Sequence, residues 1–168
     1  MKAKFNVQKL VLVALFISLS FIGANIKILG TIAFDSMPAY LATILMGPIY
    51  GAIVGAVGHL ITSMISGFPL TLPVHLIISM SMAVTMVATF YSFKLFKSKN
   101  FFLSAFSGIV VGTIFNGPLA SMALLPILGT MIYGLIPVLT LVSAVNALLA
   151  FIVYYFLPKS IKKQFSLK

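Results

Sequence analysis

The chain has no cysteine, no arginine and a single acidic residue, Asp35, among 168 residues. Without cysteine there are no disulfides, no thiolate metal sites and no cysteine nucleophile. With one acid, paired-carboxylate chemistry is excluded. No Gly-x-x-x-x-Gly-Lys phosphate loop occurs, so ATP-driven work would need another chain to hydrolyse the nucleotide. There is no His-x-x-x-His or His-Glu pairing and no glycine-flanked serine, which leaves no catalytic constellation and implies no metal or other cofactor. Proton-coupled transport normally needs a carboxylate or a comparable relay within the membrane. The only acid here falls in an expected loop.

What remains is apolar. The chain is 61% hydrophobic and 7% charged, more apolar surface than a soluble domain of this size can hide, so the expected solvent is lipid. The formal net charge of +10 comes from eleven lysines. They stand at the ends of apolar runs rather than in a patch interleaved with aromatics, which argues for membrane topology and against nucleic acid.

The pattern predicts an all-α membrane protein, a single domain over residues 1–168 with six transmembrane helices and both termini cytoplasmic. The first span, residues 8–27, is too long for a signal core and lacks a small-x-small cleavage site, so it is expected to be retained. It carries Ala14-x-x-x-Ser18, a pair of small residues that lets another helix approach. Residues 28–36 form a connection, extended near Thr31 to Phe34, and Asp35-Ser36 before Met37-Pro38 reads as a helix N-cap. Span 2, residues 37–46, is short for a full crossing. Gly47-Pro48 breaks the chain. Span 3, residues 48–66, has Gly51, Gly55 and Gly58 at helical spacing, which predicts a central helix packed closely on several sides. A loop with Gly67, Pro69 and Pro73 leads to span 4, residues 73–93. Spans 5 (101–126) and 6 (131–157) contain Pro118 and Pro137, where kinks or unwound segments are expected. With six spans, ten lysines share one face and Lys27 stands alone on the other. The positive-inside rule makes the lysine-rich face cytoplasmic.

The polar residues then gather in the outer half. His59 lies about 16 Å up span 3 from its inner end. A pocket lined by Lys27, Phe34, Asp35, Tyr40, His59, Phe68, His75, Asn116 and Tyr133 suits a small, planar, polar molecule, with aromatic faces to stack on it and a few polar groups to orient it. Each residue also has a plainer reading. His59 suits a neutral histidine bonded between helices, and His75 a solvated one. Asp35 suits a cap, Lys27 a side chain reaching headgroups, and Asn116 and Asn146 hydrogen-bond glue between helices.

The stretch Met46-Gly-Pro-Ile-Tyr-Gly-Ala-Ile-Val-Gly-Ala-Val-Gly-His59 resembles the Gly-Pro-x-x-Gly-x-x-x-Gly-x-x-Gly pattern at the third helix of substrate-binding S components of energy-coupling factor (ECF) vitamin transporters. Ala14-x-x-x-Ser18 resembles the first-helix Ala-x-x-x-Ala docking motif of that family, with Ser18 replacing the second alanine. His59 stands where many members have aspartate. Ile32-Ala-Phe-Asp-Ser36, Gly58-His59-Leu60 and the run Gly67 to His75 are similar to the branch assigned to alpha-ribazole, a cobalamin precursor joining benzimidazole to ribose. The resemblance implies a non-enzymatic binding subunit that captures its ligand from outside under the loops at 28–36 and 67–72. It would dock through Ala14 and Ser18 on a T component carrying two ATPases, topple in the membrane and release the ligand inside. An autonomous carrier or channel, a membrane-embedded enzyme, or an S component for hydroxymethylpyrimidine or cobalamin are the alternatives.

Overall fold

The computed structural model describes residues 7–25, 27–28, 32–98 and 100–165, with backbone alone at 27, 28, 32 and 33. The chain is a bundle of helices. Helix α1 (Val7–Ala24) is followed by β1 (Lys27–Ile28) and β2 (Ile32–Ala33), an antiparallel ladder pairing Lys27 with Ala33. Then come α2 (Met37–Met46), α3 (Pro48–Ile65), α4 (Leu72–Phe96) and α5 (Phe101–Ile114). A π-helical turn (Phe115–Leu119) joins α5 to the short helices α6 (Ala120–Ala123) and α7 (Leu125–Leu128). Helices α8 (Met131–Phe156) and α9 (Lys159–Phe165) complete the described chain.

Among the described residues, five helical stretches, with α5 to α6 counted as one, are long and apolar enough to cross a membrane. Helix α2 is apolar but has only ten residues, about 15 Å of helix. It is the most enclosed element, with nine of those ten residues buried. A helix apolar all round belongs inside a bundle, and α2 sits among α1, α3, α4 and α8.

The glycines of α3 set how closely its neighbours approach. A Cβ on Gly51 would overlap Thr43 of α2, one on Gly55 would touch Met86 and Met82 of α4 and Ala39 of α2, and one on Gly58 would press on Ser20 of α1. Helix α3 therefore meets three helices through its glycine face, as its spacing predicts. The break before it is equally local. Gly47 has φ +107°, a region that favours glycine, and Pro48 occupies the first turn of α3, where its missing N–H leaves nothing unpaired.

Two expectations need correction. Ser36 is the N-cap position of α2, but neither it nor Asp35 caps the helix with its side chain. Instead the Met37 N–H donates to Asn146 Oδ1 of α8 at 2.9 Å, so the start of α2 is tied to a neighbouring helix. Asn146 is fully buried, and its Nδ2 donates to the Val142 carbonyl. It is the interhelical bond its sequence suggests. The two prolines also behave differently. Pro118 falls in the π turn, where the wider helix accommodates a residue that cannot donate, while α8 runs as one helix through Pro137.

The lysine-bearing end is rich in rings. Phe93, Phe101, Phe151 and Tyr154 pack together, and Lys97 and Lys162 lie over Phe93 and Tyr154, with ammonium-to-centroid distances of 5.9 and 4.9 Å. Cations over aromatic faces suit a membrane–water boundary. Lys2, Lys4, Lys99 and Lys168 lie outside the described residues.

Candidate functional site

A cavity of about 150 Å³ lies at the N-terminal end of α2. Asp35 and Ser36 border it on that side. Helix α3 contributes His59, Thr62, Ser63 and, at its end, Ser66. Helix α4 adds His75, Ile78 and Met82, and the π turn adds Asn116. Between α6 and α8 the lining is mainly aliphatic, with Leu124, Leu128, Ile132, Leu135, Leu139 and Val142, together with Ser121 and Ser143. The lining is thus uneven, with most of its polar side chains from α3, α4 and the approach to α2, and a largely aliphatic stretch from α6 to α8 in which Ser121 and Ser143 also stand.

Four of the residues expected at the site come together on this cavity: Asp35, His59, His75 and Asn116. His59 sits one helical turn before Ser63, so both share a face of α3. That face meets the first turn of α4, where His75 lies. His59 Nδ1 is 3.3 Å from Asp35 Oδ2, and His59 Nε2 is 3.1 Å from His75 Nδ1. Ser63 Oγ is 2.9 Å from His75 Nδ1 and donates to the His59 carbonyl at 2.7 Å. The single acid and both histidines of the chain therefore form one connected group.

The expected aromatic walls are not there. Tyr133 is 54% exposed and does not line the cavity. Tyr40 is fully buried behind the wall, where its hydroxyl donates to the Gly112 carbonyl at 3.0 Å and lies 3.3 Å from Ser143 Oγ. It also bonds Asn116, so it supports two lining residues without reaching the space itself. Phe68 packs its ring on His75 with centroids 5.8 Å apart and is outside the lining. Phe34 is likewise outside it. The Lys27 side chain lies outside the described residues.

Residues 66–71 pass over the cavity, with Ser66, Pro69 and Leu70 on its border. Gly67, Phe68 and Thr71 all have positive φ, at 75°, 49° and 82°. For Phe68 and Thr71 this is a sparsely populated conformation, held by surrounding contacts. The Phe68 N–H donates to the Ser63 carbonyl at 2.8 Å, and the ring rests on His75. The loop is therefore fixed to the same residues that form the polar wall.

Sequence reasoning missed Thr62 and Ser63, although their offsets of three and four from His59 put them on its face. It also missed the leucine wall, which carries no signal because lipid-facing and cavity-facing leucines look alike in sequence.

On the α1 surface, Ala14 and Ser18 are both exposed and share one face. Ser18 Oγ turns back to donate to the Ala14 carbonyl at 3.0 Å, leaving the face flat.

A bundle of helices long and apolar enough to cross a membrane, enclosing a cavity with polar and apolar lining, is the architecture of a multi-pass membrane protein. Residues 8–158 match the family described as "ECF transporter, substrate-specific component", and the chain belongs to that family. No curated protein and no solved structure matches it significantly. Members are the substrate-binding subunits of importers, not enzymes, and work with a T component and ATPases in a lipid bilayer.

Proposed function

We propose that this chain captures a neutral, two-faced vitamin precursor in the cavity beside α2, and that alpha-ribazole is the ligand. The observation that carries the reading is the uneven lining of the cavity. Asp35, His59, His75, Thr62 and Ser63 concentrate polar atoms in one part of the lining, while Leu124, Leu128, Ile132, Leu135 and Leu139 supply hydrocarbon in another, where Ser121 and Ser143 are the polar exceptions. A benzimidazole packs against the aliphatic side and its ribose hydroxyls reach the polar side. The ring is held by leucine and isoleucine contact rather than by stacking. Asp35 is the one formally charged side chain among the described lining residues, and it is an acid. A phosphate or carboxylate on the ligand would meet no cation there, so the uncharged nucleoside is favoured over its phosphate.

In this reading the loops at 28–36 and 67–72 cover the ligand on the outer side of the cell membrane, and both termini are cytoplasmic. The exposed Ala14–Ser18 face of α1 docks on the T component, and ATP turnover by the two partner ATPases drives toppling and release.

The test is calorimetry on the purified chain in detergent with alpha-ribazole, cobalamin, hydroxymethylpyrimidine and riboflavin. One-to-one binding of alpha-ribazole alone supports the reading, and its phosphate should bind at least about tenfold more weakly. Binding of a different member of the set, with alpha-ribazole silent, would replace the ligand.

A further inference from the structure

Asp35, His59, His75 and Ser63 form a hydrogen-bonded chain whose direction is set independently at its two ends. At one end stands a carboxylate, which only accepts, so His59 donates to Asp35 through Nδ1–H, across 3.3 Å. A neutral His59 then presents a bare Nε2 toward His75. At the other end, Ser63 Oγ lies 2.7 Å from the His59 carbonyl, which only accepts. With its proton directed there, its oxygen is left to accept from His75 at 2.9 Å. The two ends then make the same demand. The His75 proton sits on Nδ1, directed between His59 Nε2 at 3.1 Å and Ser63 Oγ at 2.9 Å. The tautomer follows from the network. The opposite direction would set a Ser63 lone pair against a His75 lone pair.

This leaves His75 Nε2 with an unshared electron pair and no proton. That atom is buried without a hydrogen-bond partner, in a side chain that lines the cavity and belongs to a residue only 8% exposed. Thr62 Oγ1, on the same cavity and also in a residue 8% exposed, is likewise unpartnered. Buried polar atoms in folded proteins are nearly always bonded, and leaving one unpaired is unfavourable, more so in a low-dielectric interior. Two such atoms on one wall point to a molecule that completes them.

We propose that His75 Nε2 is the hydrogen-bond acceptor that reads the substrate, with the Thr62 hydroxyl beside it, and that the substrate must present an O–H or N–H to His75. This rests on the ligand-binding reading above and extends it to the polarity of recognition. Asp35 and His59 act as positioning residues. They fix which His75 nitrogen is bare. The site then selects hydroxylated or amino-bearing ligands and rejects analogues in which that donor is methylated, because the methyl group both blocks and fails to satisfy the nitrogen.

Two measurements test it. The chain has only two histidines, so nitrogen NMR of the ligand-free protein, labelled at histidine and purified in detergent, is readable, with His75→Phe assigning the signals. The expected spectrum has His75 Nε2 in the bare-nitrogen range and Nδ1 in the N–H range, and Asp35→Asn, which can both donate and accept, should admit the opposite tautomer. A wild-type His75 protonated at Nε2 overturns the proposal. The second measurement is affinity for alpha-ribazole, or for whichever of the four ligands binds. His75→Phe and Thr62→Val should each weaken it roughly tenfold or more while the unfolding midpoint stays near wild type. Unchanged affinity in both variants overturns the proposal. Failure of alpha-ribazole to bind sinks the ligand assignment alone. If none of the four binds, the nitrogen spectrum decides, a bare Nε2 supporting the acceptor and a protonated one refuting it.

Discussion

Replacing Gly51 with alanine tests the packing on which the whole bundle depends. A Cβ built there would overlap Thr43 Oγ1 and lie 2.7 Å from Thr43 Cβ and 2.8 Å from Thr43 Cα. The hydroxyl has little freedom to turn away, because it is buried and donates to the Ala39 carbonyl at 2.8 Å. Even if it turned, the Cα would remain, so relief requires α2 and α3 to separate. Overpacking of a well-filled core costs about 1–3 kcal/mol, and contact with backbone puts this case at the upper end. Alanine returns up to ~1 kcal/mol of helix propensity. The net expectation is a loss of about 2 kcal/mol. Gly134→Ala is the control. Gly134 lies within α8, and a methyl added there would have nothing within 4 Å, so only the propensity gain should appear. Stability should be read by circular dichroism during SDS titration of protein in dodecyl maltoside, since the chain has no tryptophan for fluorescence. If Gly51→Ala is as stable as Gly134→Ala, the close α2–α3 approach is wrong.

Other consequences are as direct. Asn146→Leu removes the acceptor of the Met37 N–H and should cost about 1–2 kcal/mol in the same titration, more than Asn100→Ala, whose side chain caps α5 at the exposed surface. Ala14→Trp and Ser18→Trp place bulk on the exposed face of α1. They should leave ligand affinity within about twofold while abolishing co-purification with a co-expressed T component and ATPases, and retained co-purification would move the docking face elsewhere. Because the chain has no cysteine, single cysteines report topology cleanly. Thr130→Cys should react with an impermeant maleimide added to intact cells, and Ser98→Cys only after lysis, whereas the reverse pattern would invert the orientation.

The elements that carry chain-breaking residues were legible in the sequence. Gly47-Pro48 fixes the end of α2 and the start of α3, and both helices fall within a residue of the expected ranges. Asn116-Gly117-Pro118 marks the π turn for a chemical reason, because a proline within a helix must be accommodated. Asp35, His59 and His75 stood out because the chain has only one acid and two histidines, and ionisable groups within or beside a span tend to mark a site. The rest of the site was hidden by the same logic. In a chain this apolar, residues facing lipid, core and cavity share one composition, so Leu124 and Ile132 could not be told from Leu148 or Ile152, which are exposed on the bundle surface. The aromatics named with the site fall outside this cavity's lining for a related reason. Tyr40 and Tyr133 differ only in which way their helices are turned, and the bundle, not the local sequence, sets that rotation.

The ten-residue length of α2 has a consequence for how the protein is loaded. At about 15 Å it fills roughly half the depth of a 30 Å hydrocarbon layer, and the cavity lies where the helix begins, bordered by Asp35 and Ser36. A ligand bound there, as proposed, would occupy the place of a missing half-helix and complete the interior of the bundle. Capture and consolidation would then be one event. The unloaded form should be the looser one, melting earlier and yielding sooner to proteolysis, and each arriving molecule acts for the length of its stay as a transient segment of the protein's own core.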